Sequence, residues 1–317
     1  MQLSIVIPTR NRATKLERTL QSLIAQSVPV QDFEVLVIDN DSSDETPELL
    51  RRFGGRFPNW QCSKQEKPGA AAARNSGIAI CRGKIVLFLD DDVIAEPDLV
   101  RQHLKSHHSH PGSAVLGRVR NGWNENESAF LWVINDKELL HSFRFPDSSN
   151  VPFQHLYTCN VSIPRDALLE TGGFDERFAG AAFEDTDLGY RLTRSGCKLI
   201  FNSDAVVLHE PLLSLKSFGK KRFDAGRALH QLLSKHPELQ ETLLPSAWRR
   251  ILRCALGWGA TPLTFTFERR LPFAPLLLPV LGRACWYHFE YLFWTGYRTA
   301  TCSENQTTEA AVCRPAG

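Results

Sequence analysis

Residues 85–92 read Ile-Val-Leu-Phe-Leu-Asp-Asp-Asp and join an apolar pentapeptide to three successive carboxylates. The pentapeptide is typical of a strand that is buried on both faces of a sheet. The carboxylates at its end repel one another, and such clusters persist where a cation offsets their charge. Oxygen ligands of this kind suit Mg²⁺ or Mn²⁺, usually with substrate phosphate completing the shell. The alternative is a polar turn in which an aspartate caps the next helix, and the segment alone leaves both open.

Two more apolar segments, Ser4–Ile7 and Val35–Ile38, precede it and predict strands of the same kind. Leucines at helical spacing predict a helix from Arg12 to Gln26, Asp44–Pro47 opens a second helix, and Gly69–Ile80 is an Ala-rich third helix. Strands that alternate with helices through short connections favour parallel pairing and right-handed crossovers. The predicted fold class is therefore α/β, with an open, mostly parallel central sheet flanked by helices.

Polar residues follow these strands directly, at Pro8–Asn11, Asp39 and Asp90–Asp92. In an open parallel sheet, ligands bind at the carboxyl ends of the strands. We therefore expect all of these residues to lie on one edge of the sheet. Asp39 can accept a hydrogen bond there from a nucleobase or a ribose hydroxyl, and its alternative role is to form a local Asx turn.

Two charged side chains farther along the sequence are candidates for the same edge. Arg74 stands near the start of the Ala-rich helix, where small neighbours let a ligand approach, and it would face a diphosphate or form a structural ion pair. Asp185 begins the predicted helix Glu184–Arg194, and a carboxylate near a metal-bound electrophile can act as a general base. Acidic residues in a first turn are also favoured by the helix dipole, so capping is the alternative.

His209 closes a predicted strand, Ala205–Leu208. Neutral imidazole suits Mn²⁺ and would complement Asp92 as a ligand, although a histidine at a strand end is more often structural. The second half of the chain is otherwise less regular. It predicts further strands at residues 114–119, 157–163 and 198–201, and helices at residues 127–140, 164–173 and 214–235.

The composition limits the possible functions. The chain has 317 residues, of which 43% are hydrophobic, and a net charge of +2, which gives no sign of nucleic acid as a bulk partner. The eight cysteines have no CxxC spacing and are expected to be reduced thiols. The missing GxGxxG and GxxxxGK[ST] motifs argue against a dinucleotide dehydrogenase and a P-loop ATPase. A strand begins at the N-terminus with no secretory signal before it, so a cytoplasmic protein is expected.

The composition changes at about Pro245, where aromatic residues and arginines become frequent. The apolar segment Leu271–Leu281 contains three prolines and is too short for a transmembrane helix. Residues 241–302 therefore predict either a helical segment on a membrane surface or a helical layer packed on a domain of residues 1–240, and both stay open. The polar tail, residues 303–317, is expected to be disordered.

Taken in order, six segments resemble the family 2 glycosyltransferases, which have the GT-A fold. They are Ser4–Arg12 (SIVIPTRNR), Val37–Asp44 (VIDNDSSD), Gly69–Gly77 (GAAAARNSG), Phe88–Asp92 (FLDDD), Gly172–Asp175 (GGFD) and Phe183–Leu188 (FEDTDL). The match runs from residue 3 to about residue 210. The resemblance implies that a sugar is transferred from a nucleotide-diphosphate donor to an acceptor hydroxyl, with inversion at the anomeric carbon. It also implies a GT-A-like sheet. The resemblance does not cover residues 215–317, so the C-terminal helical segment rich in aromatic and basic residues is predicted from composition alone.

The resemblance also implies roles for single residues. Asp185 would be the catalytic base. The metal ligands would be Asp90, Asp92 and His209, holding Mn²⁺ or Mg²⁺. The nucleotide-sugar would be bound by Pro8, Thr9, Arg10, Asp39, Arg74, Asp90 and Asp91. The acceptor side would be bordered by Asn160, Gly172, Gly173 and Glu184.

The predicted function is that of an inverting, metal-dependent glycosyltransferase of bacterial cell-envelope or exopolysaccharide synthesis, with a glycan or lipid-linked acceptor. It would be cytoplasmic, or peripheral on the inner face of the cytoplasmic membrane if residues 241–302 bind lipid. A nucleotidyltransferase is one alternative, but it would use a glycine- and lysine-rich N-terminal loop, unlike Pro8–Asn11. A catalytically inactive sugar-nucleotide-binding or membrane scaffold protein is another, and it would be expected to lack Asp92 or Asp185, which are both present.

Overall fold

The computed structural model describes residues 1–124, 128–178, 182–263 and 274–312. The chain divides into two compact units, the first made of residues 1–123 and 141–211, the second of residues 124–140 and 212–317. The helices, in chain order, are α1 (Ala13–Ile24), α2 (Thr46–Phe53), α3 (Ala70–Ile80), α4 (Leu99–Ser109), α5 (Ala129–Asp136), α6 (Arg165–Glu170), α7 (Glu184–Arg194), α8 (Leu215–Lys235), α9 (Gln240–Leu243), α10 (Ala247–Ala260) and α11 (Ala274–Val312).

The first unit contains an eight-stranded sheet in the order β3-β2-β1-β4-β7-β6-β8-β5. The strands are β1 (Leu3–Thr9), β2 (Phe33–Asp39), β3 (Trp60–Lys64), β4 (Ile85–Leu89), β5 (Val93–Ala95), β6 (Ala114–Asn121), β7 (Asn160–Pro164) and β8 (Leu199–His209). Four neighbouring pairs are parallel, and the three pairs β4–β7, β6–β7 and β5–β8 are antiparallel. The predicted α/β sheet, mostly parallel and flanked by helices, is confirmed.

Both faces of the central strands are covered by helices. Along β1, Ile5 and Ile7 pack in one apolar cluster with Leu16 and Leu20 of α1. Val6 points the other way and belongs to a second cluster, which includes the alanines of α3. Successive side chains of a strand alternate between faces, so a strand covered on both sides reads as a continuous apolar run. This is why β1, β2 and β4 were recognisable in the sequence.

Three elements of the first unit, β3, β5 and α4, have no counterpart among the predicted elements. The predicted strands at residues 198–201 and 205–208 are one strand, β8, interrupted by a bulge. Its partner β6 pairs Gly117 with Asn202 and then Arg118 with Val206, so three polar or small residues of β8 are left over. An extra segment of this kind bends a strand without ending it.

The second unit is helical. The sequence places a boundary between residues 240 and 241, whereas here α8 already belongs to the second unit. The reason is the packing of α8 on α11, where a Cβ at Gly226 would lie 1.9 Å from the Phe293 carbonyl oxygen. The seven described cysteines are free thiols, as predicted, and Cys313 lies outside the described residues.

Glu127, the first residue of the helix predicted at residues 127–140, lies outside the described residues. So do parts of the predicted C-terminal region, namely residues 264–273 with their phenylalanines and arginines, and residues 313–317. The predicted tail from residue 303 begins inside α11, which ends at Val312. Among the described helices, none is both long and apolar enough to cross a membrane.

Candidate active site

The ends of β1, β2 and β4 meet at one edge of the sheet, and their polar residues contact one another. Thr9 lies opposite Asp39 in the parallel register of β1 and β2. The Thr9 hydroxyl donates a hydrogen bond of 2.7 Å to Asp91 Oδ2 at the end of β4. The sheet therefore brings the three polar segments of the N-terminal half to a common edge.

The residues Asp90, Asp92 and His209 form a cluster at this edge. Val93 of β5 pairs with His209 of β8, and the Glu210 N–H donates to the Asp92 carbonyl oxygen at 2.8 Å. This pairing sets the His209 Nε2 atom 3.3 Å from Asp92 Oδ1. One ligand atom from each of Asp90, Asp92 and His209 lies within 4.8 Å of the others.

The chemistry of this cluster fits a divalent cation. Ligand atoms around an octahedral ion at about 2.1 Å lie roughly 3 to 4 Å apart, which is compatible with the observed cluster. Two carboxylates with one imidazole form a mixed oxygen and nitrogen donor set, which suits Mn²⁺. Burial alone would raise the pKa of Asp92, but the hydrogen bond and charge of His209, together with Arg12, lower it to about 2. Asp92 is therefore ionised at neutral pH, as binding a cation would require.

A positively charged side chain, Arg12, also contacts these carboxylates, and the sequence pattern did not predict it there. Arg12 Nη1 lies 2.6 Å from Asp92 Oδ2 and 3.1 Å from Asp91 Oδ1. Asp91 is buried, and that burial raises its pKa to about 6 against the opposing effects of Arg12 and Thr9. Asp91 therefore contacts Thr9 and Arg12 within the protein. Its predicted contact with the nucleotide-sugar stays a prediction. The position of Arg12, one residue after the strand-end segment Pro8–Asn11, is the signal that could have identified it.

Arg74 forms ion pairs both with Asp90 of this cluster and with Glu184 of helix α7. It is buried, with Nη2 at 3.2 Å from Asp90 Oδ1 and Nη1 at 3.1 Å from Glu184 Oε1. The pKa of Glu184 is raised by burial despite this ion pair. The structural ion pair that the sequence left as an alternative is therefore present. Glu184 is a buried partner of Arg74 because the start of α7 faces α3, and its predicted place on the acceptor side stays a prediction.

Asp185 stands beside this pair at the start of α7, following Phe183, whose φ is +65°. It is packed among protein groups and keeps part of its surface open to solvent. Burial, together with the negative charge of Glu184, raises the pKa of Asp185 to about 7. A carboxyl group with such a pKa can exchange a proton near neutral pH.

The thiol of Cys159 indicates how close the acidic groups are to one another. Its pKa is raised well above the ordinary value, first by burial and then by the charges of Asp90, Asp185 and Asp92. All three carboxylates therefore lie within electrostatic range of one buried sulfur just before β7. The residues predicted as metal ligands and as base share a single neighbourhood.

The other residues predicted on the nucleotide side have these positions. Pro8 is half-buried in β1, and Arg10 is exposed near the charge of Asp41. Asp39 is buried, and its Oδ1 atom accepts a hydrogen bond of 3.0 Å from the Ser42 N–H, three residues on, so its side chain does hold the local turn. Contacts of these residues with a nucleotide stay predictions.

The side chain of Asn160 is bonded inside the protein, and its predicted place on the acceptor side stays a prediction. This residue is fully buried, its Oδ1 atom lies 2.9 Å from His103 Nε2, and its amide group donates to the carbonyl oxygens of Arg118 and Ala205. Both ends of the side chain are thus used inside the protein. Sequence patterns could not show this, because the partners come from α4, β6 and β8.

Gly172 and Gly173 form the turn after α6, with φ of +77° and +68°. A Cβ at Gly173 would lie 2.6 Å from Asn75 Oδ1, so the turn approaches α3 closely. The next residue, Phe174, places its ring centroid 5.6 Å from the Arg74 guanidinium carbon. The turn therefore holds an aromatic ring against Arg74, and the predicted role of the two glycines toward an acceptor stays a prediction.

Comparison with solved structures supports the fold. The chain aligns over 95% of its length with 87% of the mannosyltransferase PcManGT from Pyrobaculum calidifontis, in complex with GDP-Man and Mn²⁺, at a TM-score of 0.65 and 20% identity. It also aligns over 94% of its length with 92% of residues 1–349 of TarS from S. aureus in complex with UDP-GlcNAc, at a TM-score of 0.56 and 16% identity. At these identities the likeness concerns the fold alone, and it confirms the predicted GT-A-like architecture.

Sequence relatives support the same assignment. The chain is 33% identical over 234 residues to validoxylamine A glucosyltransferase of Streptomyces hygroscopicus subsp. jinggangensis, covering 66% of this chain and 55% of that protein. The chain thus spans about half the length of this curated relative. The model of Glycosyl transferase family 2 matches residues 4–170, more than half of the chain. Four of the six motifs lie within the matched residues, so the resemblance to the family is confirmed, and the protein belongs to Glycosyl transferase family 2.

Proposed function

We propose that this chain transfers a sugar from a nucleotide-diphosphate donor to an acceptor hydroxyl, with inversion at the anomeric carbon. The observation that carries the proposal is the cluster Asp90–Asp92–His209, with ligand atoms within 4.8 Å, beside the pair Arg74–Glu184 and the carboxyl group of Asp185. Membership of the family supports sugar transfer as the reaction class.

Asp90, Asp92 and His209 would hold the divalent cation. When bound, the cation would offset the negative charge that grows on the departing diphosphate as the glycosidic bond breaks. The imidazole ligand favours Mn²⁺ over Mg²⁺. The Mn²⁺ that accompanies GDP-Man in the structurally similar mannosyltransferase supports the same choice.

Asp185 would remove the proton from the acceptor hydroxyl. Its pKa of about 7 gives it the proton affinity that this step needs, and it keeps part of its surface accessible. A positioned general base typically accelerates a reaction by ~10²–10⁴-fold. Inversion follows when the acceptor attacks the face opposite the leaving diphosphate.

Thr9, Arg10, Asp39 and Arg74 would line the nucleotide side, since they lie at or next to the ends of β1, β2 and β4. The acceptor is proposed to be a glycan or lipid-linked saccharide of cell-envelope or exopolysaccharide synthesis, and the reaction to occur on the cytoplasmic side of the membrane.

The test measures donor binding and donor turnover separately. Calorimetric titration with UDP-, GDP- and dTDP-sugars, with and without Mn²⁺, identifies the nucleotide, and release of nucleoside diphosphate reports turnover. Asp92→Asn should lose the Mn²⁺-dependent part of the affinity, and Asp185→Asn should keep binding but lose ~10²-fold or more in turnover. Asp204→Asn, an exposed aspartate on β8, is the matched control and should behave as the native chain.

The results separate the competing functions. Donor binding without turnover in the native chain, for every donor and acceptor offered, would favour a binding or scaffold protein. Release of pyrophosphate from nucleoside triphosphates would favour a nucleotidyltransferase. Full turnover by the Asp185→Asn variant would refute the proposed base.

A further inference from the structure

Helix α10 in the second unit exposes an apolar face. Trp248, Ile251, Leu252, Leu256 and Trp258 are 61%, 70%, 47%, 42% and 71% exposed. These positions fall on one side of a helix that turns 100° per residue. A helix on a globular protein ordinarily buries such a face, and a large exposed apolar patch marks an interaction site.

The opposite face of α10 fixes this orientation. A Cβ at Gly257 would lie 2.0 Å from the Tyr287 carbonyl oxygen, so α10 and α11 touch at their backbones there. On the same side, Arg253 donates a hydrogen bond of 2.8 Å to Glu290 Oε2. Rotation of α10 would press a large side chain against the α11 backbone and separate this ion pair. The apolar face, rather than the arginine-bearing face, is therefore the one presented to solvent.

The charge of the C-terminal region indicates what kind of partner binds the exposed face of α10. Residues 212–302 contain thirteen lysines and arginines but five aspartates and glutamates, although the whole chain has a net charge of +2. Helix α10 itself has no acidic residue, and of its three arginines Arg249 is exposed, Arg250 is half-buried and Arg253 is paired with Glu290. Two copies of so basic a surface would repel each other, whereas an anionic lipid surface would attract it.

The aromatic residues of the face suit the boundary between water and lipid. Trp248 and Trp258 are ten residues apart, which places one indole near each end of the helix. Indole rings are enriched at membrane–water interfaces, because they combine a large apolar body with a polar N–H group. A basic helix with tryptophan and leucine on its other face typically lies in the plane of the interface.

We propose that the outward face of α10, defined by Trp248, Ile251, Leu252, Leu256 and Trp258, docks on an anionic lipid surface. The indole and aliphatic side chains enter the interface, and Arg249, which is exposed at the border of the face, lies among the headgroups. This inference rests on the second unit alone, so it stands or falls independently of the proposed sugar transfer.

The test is co-sedimentation of the full chain with vesicles of phosphatidylcholine, either pure or mixed with phosphatidylserine. The native chain should bind the mixed vesicles, and added salt should weaken this binding. The double variant Trp248→Ser, Trp258→Ser should bind at least tenfold more weakly. Leu169→Ser, at a 49% exposed leucine in the first unit, is the matched control and should bind as the native chain does.

A charge pair tests the electrostatic part separately. Arg249→Glu should weaken binding to the mixed vesicles, whereas Arg101→Glu, at an exposed arginine of α4, should not. Circular dichroism verifies that each variant is folded, and Ile251→Asn replaces the double variant if that one unfolds.

Three results would overturn the proposal. The first is failure of the native chain to bind the mixed vesicles. The second is equal binding by the native chain and the tryptophan variant, and the third is an equal loss of binding in Leu169→Ser and in the tryptophan variant. Sedimentation velocity tests the alternative that this face binds a second copy of the chain. A native dimer that the tryptophan substitutions dissociate, without vesicle binding, would assign the face to a second copy of the chain.

Discussion

Two arginines allow several carboxylates to crowd at the edge of the sheet. Arg12 contacts Asp91 and Asp92, while Arg74 contacts Asp90 and Glu184. A buried charge is tolerated only when it is paired and hydrogen-bonded, so each arginine is needed to keep its two acids in place. Asp185 lacks such a direct pair among the contacts described, and burial together with the charge of Glu184 raises its pKa to about 7.

This difference predicts the pH dependence of the proposed transfer. A general base acts in its deprotonated form, so kcat/KM should fall about tenfold per unit below pH 7 and level off above it. Glu184→Gln removes the buried negative charge next to Asp185 and leaves Arg74 less neutralised. Both changes lower the pKa of Asp185, so the acid limb should move to lower pH. The measurement is the pH profile of kcat/KM with donor and Mn²⁺.

The control for this prediction is Glu170→Gln, which removes an exposed carboxylate at the end of α6. Its pH profile should coincide with that of the native chain. An acid limb that stays in place in Glu184→Gln would show that Asp185 is not the group that titrates.

At the scale of residues, the sequence could predict those that follow a recognisable strand. Asp90 and Asp92 end an apolar run, and His209 ends another, so pattern and motif together pointed to all three. Asn160 starts β7, and because β7 is antiparallel to β4 it lies opposite Leu89, at the edge where Asp90 begins. Its side chain is nevertheless bonded inside the protein to His103, 57 residues away. Sequence spacing does not show partners that lie so far apart in the chain.

At the scale of elements, the sequence predicted those that are apolar and long. Strand β3 (Trp60–Lys64) is a half-exposed edge strand of mixed composition, and β5 has only three residues, so neither produces a clear period-two or apolar signal. Helix α4 is rich in histidine and polar residues, and two of its buried side chains are histidines. Tertiary partners, rather than local pattern, decide these elements.

The packing of α3 on β1 gives a prediction at the same scale. A Cβ at Gly77 would lie 2.4 Å from Val6 Cγ1, and the branched valine has little freedom to move away. Gly77→Ala should therefore lower the free energy of unfolding by about 1–3 kcal/mol and displace the helix that carries Arg74. Urea denaturation measures the stability, and Mn²⁺-dependent donor binding reports the displacement.

The matched control is Gly55→Ala, where nothing lies within 4 Å of the new methyl group. Combining Gly77→Ala with Val6→Ala should cost less than the sum of the two single changes, because the shortened side chain leaves room for the methyl group. Strict additivity would mean that the contact does not hold α3 in place.

At the scale of the whole molecule, the composition shift at about Pro245 indicated a second region but not its extent. The second unit takes in α5 from the middle of the sequence and all of α8. Helix α8 is amphipathic like any surface helix, and its contacts with α11, such as the close approach at Gly226, reveal where it belongs. Membership of a unit is set by such long-range contacts, which composition does not encode.

The stability of the whole molecule should depend on pH through two opposed sets of buried groups. His103 and His107 both lie 2.7 Å from the Ser162 hydroxyl, and burial lowers their pKa to about 4 and about 3. The unfolded chain, with histidine near 6.5, binds more protons below that pH, so each histidine should cost on the order of 2 kcal/mol of stability by pH 5. Asp91 and Asp185 act in the opposite direction, because their raised pKa values favour the folded state as the pH falls.

The dependence of the total stability on pH therefore combines both effects, and a variant at His107 separates them. His107→Gln keeps a group that can bond to Ser162 but cannot titrate. Its stability deficit relative to the native chain, measured by urea denaturation, should shrink by about 2 kcal/mol between pH 7 and pH 5. His108→Gln, at the exposed neighbouring position, should follow the native chain throughout. A deficit of His107→Gln that is constant with pH would contradict the neutral, buried state of His107.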